Sequence, residues 1–257
     1  MLKIAFHPIY KHELPVGHRF PMEKYDLLPQ QLIYEGTCVE ENFFEPKIPN
    51  NKHFFTVHDP EYFFDLLNIT LSQKAARKIG FPLSEVLVAR EMIIADGTIK
   101  ASEFALKNGI AMNIAGGTHH AFSNRGEAFC MLNDQAIGAR YLQQKGLVKK
   151  ILIVDLDVHQ GNGTAEIFKN DTSVFTFSMH GKSNYPFIKE TSDLDIALEN
   201  DTKDNEYLSI LKETLPKLIN QEKPDFIYYL CGVDAVSYTH LRAHETGRNL
   251  VCRLLLE

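Results

Sequence analysis

Residues 150–164 read Lys-Ile-Leu-Ile-Val-Asp-Leu-Asp-Val-His-Gln-Gly-Asn-Gly-Thr, and the run Lys150 to Asp155 is the clearest strand in the chain. Its apolar residues follow one another without polar alternation. That pattern belongs to a strand buried on both faces, as in a parallel sheet covered by helices. Similar apolar runs predict strands at Leu2 to Phe6, Phe54 to Val57, Ile110 to Ile114, Ser173 to Met179 and Asp225 to Leu230. Helical spacing predicts helices over Lys24 to Glu35, from Pro60 onward, over Arg90 to Asn108 with an interruption at Asp96-Gly97, and over Asn133 to Gly146. Strands alternating with helices predict one α/β domain, a parallel sheet flanked by helices on both faces. In such sheets ligands sit beyond the carboxyl ends of the strands.

With 257 residues and 44% hydrophobic composition, the chain is long enough to bury one large core. Its net charge of -6 and its lack of a lysine- or arginine-rich run argue against a nucleic-acid surface. No apolar stretch approaches a membrane span. The N-terminal apolar run is short and broken by His7-Pro8, which does not suit a signal peptide. Cys38, Cys130, Cys231 and Cys252 are scattered, forming neither a disulfide framework nor a CxxC pair, and they predict a reducing cytoplasm.

The chemistry follows the strands. Asp157 and His159 lie two apart on an extended segment, so their side chains point to one side and can share a cation. Oxygen plus nitrogen ligation suits Zn2+, and also Fe2+ or Mn2+. Gly116-Gly117-Thr118-His119-His120 sets tandem imidazoles after another strand. Histidine is the natural proton carrier near neutral pH, and a metal-activated water needs only a modest base. Either string alone is also what an ordinary polar loop carries; two on successive strand ends shift the balance toward a site. Arg125 to Asp134, RGEAFCMLND, adds Phe129, either a wall near the metal or a plain core aromatic.

Taken together, GGTHH, EAFCMLND, ILIVDLDVHQGNGT, FSMHG and YYLCGVD resemble the histone deacetylase family of the arginase/deacetylase fold, in order and spacing, to about Asp234. ADGTIKASEFALKNG and SNYPF look most like the class IV branch and its bacterial relatives. The resemblance implies that Asp157 and His159 are two of three metal ligands, and that His119 and His120 activate water and shuttle the proton. It implies that Asp155 and Asn162 stand behind the two histidines. Asparagine stabilises an imidazolium less than the aspartate common in relatives, which should make His120 a better acid. Phe129 and Tyr185 match the aromatic walls of an acyl-lysine tunnel, and Ala128 replaces a common glycine there. Asp155, Asp157, His159, Ser178 and Met179 match a buried monovalent-cation (K+) site, and GHRFP, with Arg19, matches a floor of the site. The implied function is zinc-dependent hydrolysis of an acylated lysine, polyamine or small acyl-amine. The alternatives are a ureohydrolase-like two-metal enzyme, which would need more carboxylates around DxDxH, and an inactive acyl-amine binding module.

The family pattern stops at the end of the chain. A third ligand, an aspartate, is expected about five residues after Asp234, where Thr239 stands, and no aspartate or Gly-Gly-Tyr string follows. Residues 236–257, VSYTHLRAHETGRNLVCRLLLE, read like a translated sequencing adapter. Residues 1–235 are therefore expected to be an incomplete deacetylase-like domain and 236–257 a non-native, poorly ordered tail. His240, His244 and Cys252, which imitate a second metal site, are set aside with it.

Overall fold

A computed structural model describes residues 1–232. The chain divides into two compact units between Leu147 and Val148. The first contains β1 (Lys3–Ala5), α1 (Lys24–Tyr34), β2 (Phe43–Phe44), α2 (Pro60–Leu67), α3 (Gln73–Ile79), α4 (Glu85–Asn108), β3 (Ala111–Asn113) and α5 (Asp134–Gln144). The second contains β4 (Ile151–Asp155), α6 (Asn162–Phe168), β5 (Val174–Gly181), β6 (Leu194–Leu198), α7 (Asp204–Glu222) and β7 (Phe226–Leu230). All strand pairs are parallel, as expected of this α/β class, and they form a three-stranded sheet β2-β1-β3 and a four-stranded sheet β6-β5-β4-β7.

In the second unit every residue of β4 is buried, which accounts for its unbroken apolar run. Leu152 and Val154 share a cluster with Leu218 of α7, joined by Leu211, Leu215 and Ile219. Ile151 and Ile153 alternate to the other face. The ladder sets Asp155 beside Ser178 on one side and Leu230 on the other, so the end of β4 is held between two neighbours.

The first unit is organised around α4. Leu87, Ile94 and Ala95 of α4 pack with Phe54, Phe63, Met131 and Ile137. The expected interruption at Asp96-Gly97 does not occur: α4 runs unbroken from Glu85 to Asn108. Gly97 serves close packing instead, since a Cβ there would stand 2.5 Å from Tyr10 Oη and 3.2 Å from Ala5 Cβ. Asp96 accepts from the Lys47 N–H outside the helix at 2.7 Å and pairs with Lys100 one turn along it at 3.2 Å. The strand expected at Phe54 to Val57 is a 3-10 helix, Asn51–Thr56, begun by the Asn50 side chain accepting from the Lys52 N–H. There Phe54 stacks on Phe63 with ring centroids 4.7 Å apart. A run this short is ambiguous between strand and helix. The strand expected at Ile110 to Ile114 is β3, half-buried rather than fully buried.

Candidate active site

The candidate residues fall into two sets, one in each unit. In the first, the loop after β3 places His119 and His120 with ring centroids 4.0 Å apart, each only 5% exposed. Gly117 takes φ +89°, a left-handed conformation that favours glycine. Asp134, at the start of α5 and 1% exposed, holds this loop. Its carboxylate accepts from the Gly117 N–H at 2.9 Å, the Thr118 N–H at 2.8 Å and the Thr98 hydroxyl at 2.5 Å. Hydrogen bonds to a charged acceptor are worth roughly 1.5–3 kcal/mol each, and the helix N-terminus favours the same charge. A Cβ on Gly116 would stand 2.7 Å from the Asp134 carboxylate, so the tandem glycines make room for this clamp.

His58 ties the far end of the same loop. Its Nδ1 meets the Phe122 carbonyl at 3.0 Å, and its Nε2 accepts from the Asn133 N–H at 3.0 Å. Only the neutral ring protonated on Nδ1 satisfies both. Burial, at 2% exposure, pushes its pKa down to about 4. Asn133 caps α5 by accepting from the Ala136 N–H, and its amide donates to the Ala121 carbonyl. The sequence reading assigned no role to His58 or Asp134. The Asn-Asp pair opening a helix was a signal for Asp134; His58 reaches the loop across 64 and 75 positions of sequence and carried none.

Ala128 and Phe129 both have positive φ, 45° and 69°. The turn docks on the end of α3, where the Ala128 N–H donates to the Lys78 carbonyl and the Phe129 N–H to the Ile79 carbonyl. A Cβ on Gly80 would lie 3.0 Å from Phe129 Cε1. Phe81 and Phe20 flank the ring at 4.9 and 5.2 Å between centroids, and His18 meets it at 5.9 Å. Phe129 is therefore half-buried in a cage of aromatics, with the guanidinium of exposed Arg19 over it, 5.0 Å from its centroid.

The second unit carries the carboxylate and imidazole donors. The Asp157 N–H donates to Asp155 Oδ1 at 3.0 Å, and the His159 N–H to Asp157 Oδ1 at 2.8 Å. His159 Nδ1 lies 2.9 Å from Asp157 Oδ1. Two such atoms can both reach one cation at about 2.0–2.2 Å, so the pair fits a divalent ion. Gly232, beyond β7, supports that fit: a Cβ there would stand 1.9 Å from Asp157 Oδ2. Among the described residues no group of three or more His, Cys, Asp or Glu side chains converges for a metal. Asp234 and Thr239, near or at the expected third ligand, and the 236–257 tail lie outside the described residues.

Tyr185 sits beside this pair, its ring 6.4 Å from that of His159. Asn162 is buried at the start of α6, its Oδ1 accepting from the Gly163 N–H at 3.1 Å. Of the expected monovalent-cation set, Ser178 and Met179 are buried on β5, and Ser178 Oγ lies 3.0 Å from His180 Nδ1. Burial lowers the His180 pKa. Gln160, without a role in the sequence reading, fixes the loop before β6 by donating to the Glu190 carbonyl and Asp195 Oδ1 and accepting from the Glu190 N–H.

Comparison with known proteins agrees with these strings. The histone deacetylase domain model matches residues 18–252, a span that runs into the segment set apart above. An uncharacterised protein of Picosynechococcus sp. strain PCC 7002 is 47% identical over 90% of this chain and 77% of its own length. Histone deacetylase 2 of Arabidopsis thaliana is 27% identical over 84% of this chain and 58% of its own length. A crystal structure of an HDAC homologue from Aquifex aeolicus is 26% identical with a TM-score of 0.78, covering 91% of this chain and 68% of that one. One of an HDAC homologue complexed with SAHA has a TM-score of 0.79 at the same identity and coverage. The chain belongs to the histone deacetylase family, and so to a family of deacetylases acting on acylated amines. It spans 58–77% of the length of those two relatives.

Proposed function

We propose that the protein hydrolyses an acylated lysine or related acyl-amine, with Asp157 and His159 as ligands of a zinc ion and His119 and His120 as proton carriers. The observation that carries this reading is the convergence of Asp157 Oδ1 and His159 Nδ1 to 2.9 Å. Gly232 leaves the room that the carboxylate fills, and Tyr185 provides an apolar wall beside the pair. A divalent ion held there supplies Lewis acidity toward the acyl carbonyl and the attacking water. One histidine of the pair takes the proton of water as it adds to the carbonyl carbon. The C–N bond then breaks, and a histidine returns a proton to the leaving amine. Asp155, whose carboxylate accepts from the Asp157 N–H, fixes the segment that bears the ligands. Phe129 and Tyr185 line the path of the acyl-amine stem, and Asp155, Asp157, His159, Ser178 and Met179 hold a structural K+.

Two further readings belong to the same proposal. Among the described residues no helix is long and apolar enough to cross a membrane; the scattered cysteines, which form no disulfide framework in the sequence, are the ground on which we place the enzyme in the cytoplasm. Residues 236–257 are a non-native tail, so the natural protein supplies its third ligand from beyond Asp234. The test is a read-through protein loaded with zinc and offered a series of Nε-acyl-lysine amides. Turnover that a hydroxamate chelator blocks and zinc removal abolishes is the expected result. A zinc-loaded protein inert toward every acyl length overturns the reading.

A further inference from the structure

We infer that Lys189 is a positioning residue that sets Tyr185 beside the proposed metal ligands and so restricts the substrate to an unbranched acyl-amine stem. This rests on the reading of Tyr185 as a wall of the substrate path. Tyr185 lies in the loop of residues 182–193, between β5 and β6. The ammonium of Lys189 folds back within that loop and donates to the Asn184 carbonyl at 2.6 Å and to the Pro186 carbonyl at 2.6 Å. It therefore holds the main chain on both sides of Tyr185 at once. An ammonium has three protons to donate, and its bonds are stronger than those of a neutral donor. Burial pulls the Lys189 pKa down, while the nearby Asp195 carboxylate favours the charge.

The next residue hooks the loop to the segment that bears His159. The Glu190 N–H donates to Gln160 Oε1 at 2.9 Å, and Gln160 Nε2 donates to the Glu190 carbonyl at 2.7 Å and to Asp195 Oδ1 at 2.8 Å. Gln160 is buried and directly follows His159. Asp195 Oδ2 accepts from the Ser192 N–H at 2.8 Å, which secures the far end of the loop on β6. At the near end the Asn184 N–H donates to the Gly181 carbonyl at 3.2 Å. A closed circuit results. It runs from His159 through Gln160, Glu190 and Lys189 to Tyr185, whose ring returns to 6.4 Å from that of His159. In this circuit Lys189 links the anchored Glu190 to the turn that presents Tyr185. All of these bonds lie within residues 159–195 of one compact unit, and none depends on an exposed surface. A wall pinned on both sides passes straight methylenes and does not yield to a wider stem, and a small misplacement of it disturbs the seating of the reacting bond.

The experiment uses the zinc-loaded read-through protein and two peptides that differ only in the acetylated side chain, lysine or 4-aminomethylphenylalanine. Lys189→Met is expected to raise KM for the acetyl-lysine peptide about five- to tenfold, with kcat within about threefold and zinc content unchanged. The preference for the lysine stem over the aromatic one falls about fivefold in the same variant. Lys189→Arg, which keeps charged donors, holds both values within about threefold of wild type. Lys189→Gln, shorter and neutral, moves them in the same direction by less and stands in where Lys189→Met does not fold. Lys182→Met removes a cation of the same loop that pairs with Glu199, and it leaves KM within about twofold. The deciding comparison is made in Tyr185→Ala, where adding Lys189→Met changes KM by less than about twofold, because Lys189 acts through that ring. Fluorescence anisotropy of the labelled peptides in the slow His120→Ala background gives the same ratios as affinities. An unchanged KM and preference in Lys189→Met, or an effect that persists in full in Tyr185→Ala, overturns this inference while the deacylase reading stands. No turnover of any acyl-lysine peptide by the wild-type protein overturns the deacylase reading and this inference with it.

Discussion

Two adjacent residues show how the turn that presents Phe129 is held. Ala128 and Phe129 both lie in the left-handed region, at φ 45° and 69°, where a side chain costs roughly 1–2 kcal/mol per residue. The Lys78 and Ile79 carbonyls that accept from their N–H groups offset that strain. Glycine at position 128 relieves the strain there but frees the unfolded chain, an opposing effect of about 0.4–1 kcal/mol. Ala128→Gly is expected to stabilise the protein by about 0.5–1 kcal/mol, read as a shift in the urea midpoint, and a loss of stability would contradict the strain argument. At His120 the expectation concerns rate. His120→Ala should lower kcat by roughly 10²–10⁴-fold with KM changed only a few-fold, because proton transfer matters mainly in the transition state. Single-turnover kinetics on one acetyl-lysine amide checks it, and near-normal turnover would remove His120 from the proton path.

At the scale of elements, the loop from Gly117 to Asn133 depends on His58 staying neutral, since both ring nitrogens are engaged as a neutral tautomer engages them. The pH dependence follows in sign. Folding lowers the pKa from 6.5 to about 4, so the unfolded chain binds a proton that the folded chain refuses. This contribution is complete above pH 6.5 and is lost as pH falls toward 4, amounting to about 3 kcal/mol. Denaturation midpoints followed across that window should fall more steeply in wild type than in His58→Leu, and parallel curves would refute the assignment. Much of this architecture was legible beforehand. β4 declared itself by its unbroken apolar run, and Asp157 and His159 by their spacing on an extended segment. What stayed hidden was tertiary. The glycine at 97 is there because Tyr10 crosses the helix, and the clamp by Asp134 joins residues sixteen positions apart. Strand β6 is as long as β4 but half-buried, without its unbroken apolar run, and β2 has only two residues, so neither declares itself in the sequence.

For the molecule as a whole, the proposed ligand set carries an expectation about activity. Asp157 and His159 are two donors, whereas catalytic zinc sites normally use three protein ligands. The chain ending in residues 236–257 should therefore hold zinc substoichiometrically and be nearly inactive beside a read-through protein that holds about one zinc per chain. Elemental analysis and amidase rates of the two proteins, measured together, check this; equal occupancy and equal rates would overturn both the proposed truncation and the ligand count. One further consequence follows from the order of the second sheet. β4 carries Asp155 at its end and lies between β5 and β7, yet β7 begins about seventy residues later in the chain. A ribosome making this protein therefore releases β4 with one side unpaired and completes its partner only after α7 has emerged. At roughly 5–20 residues per second that interval lasts several seconds, during which an apolar strand has a bare edge. The segment that bears Asp157 and His159, the proposed ligands, is thus among the last parts of the described chain to be secured, and the burden of guarding it until then falls on whatever receives the nascent chain.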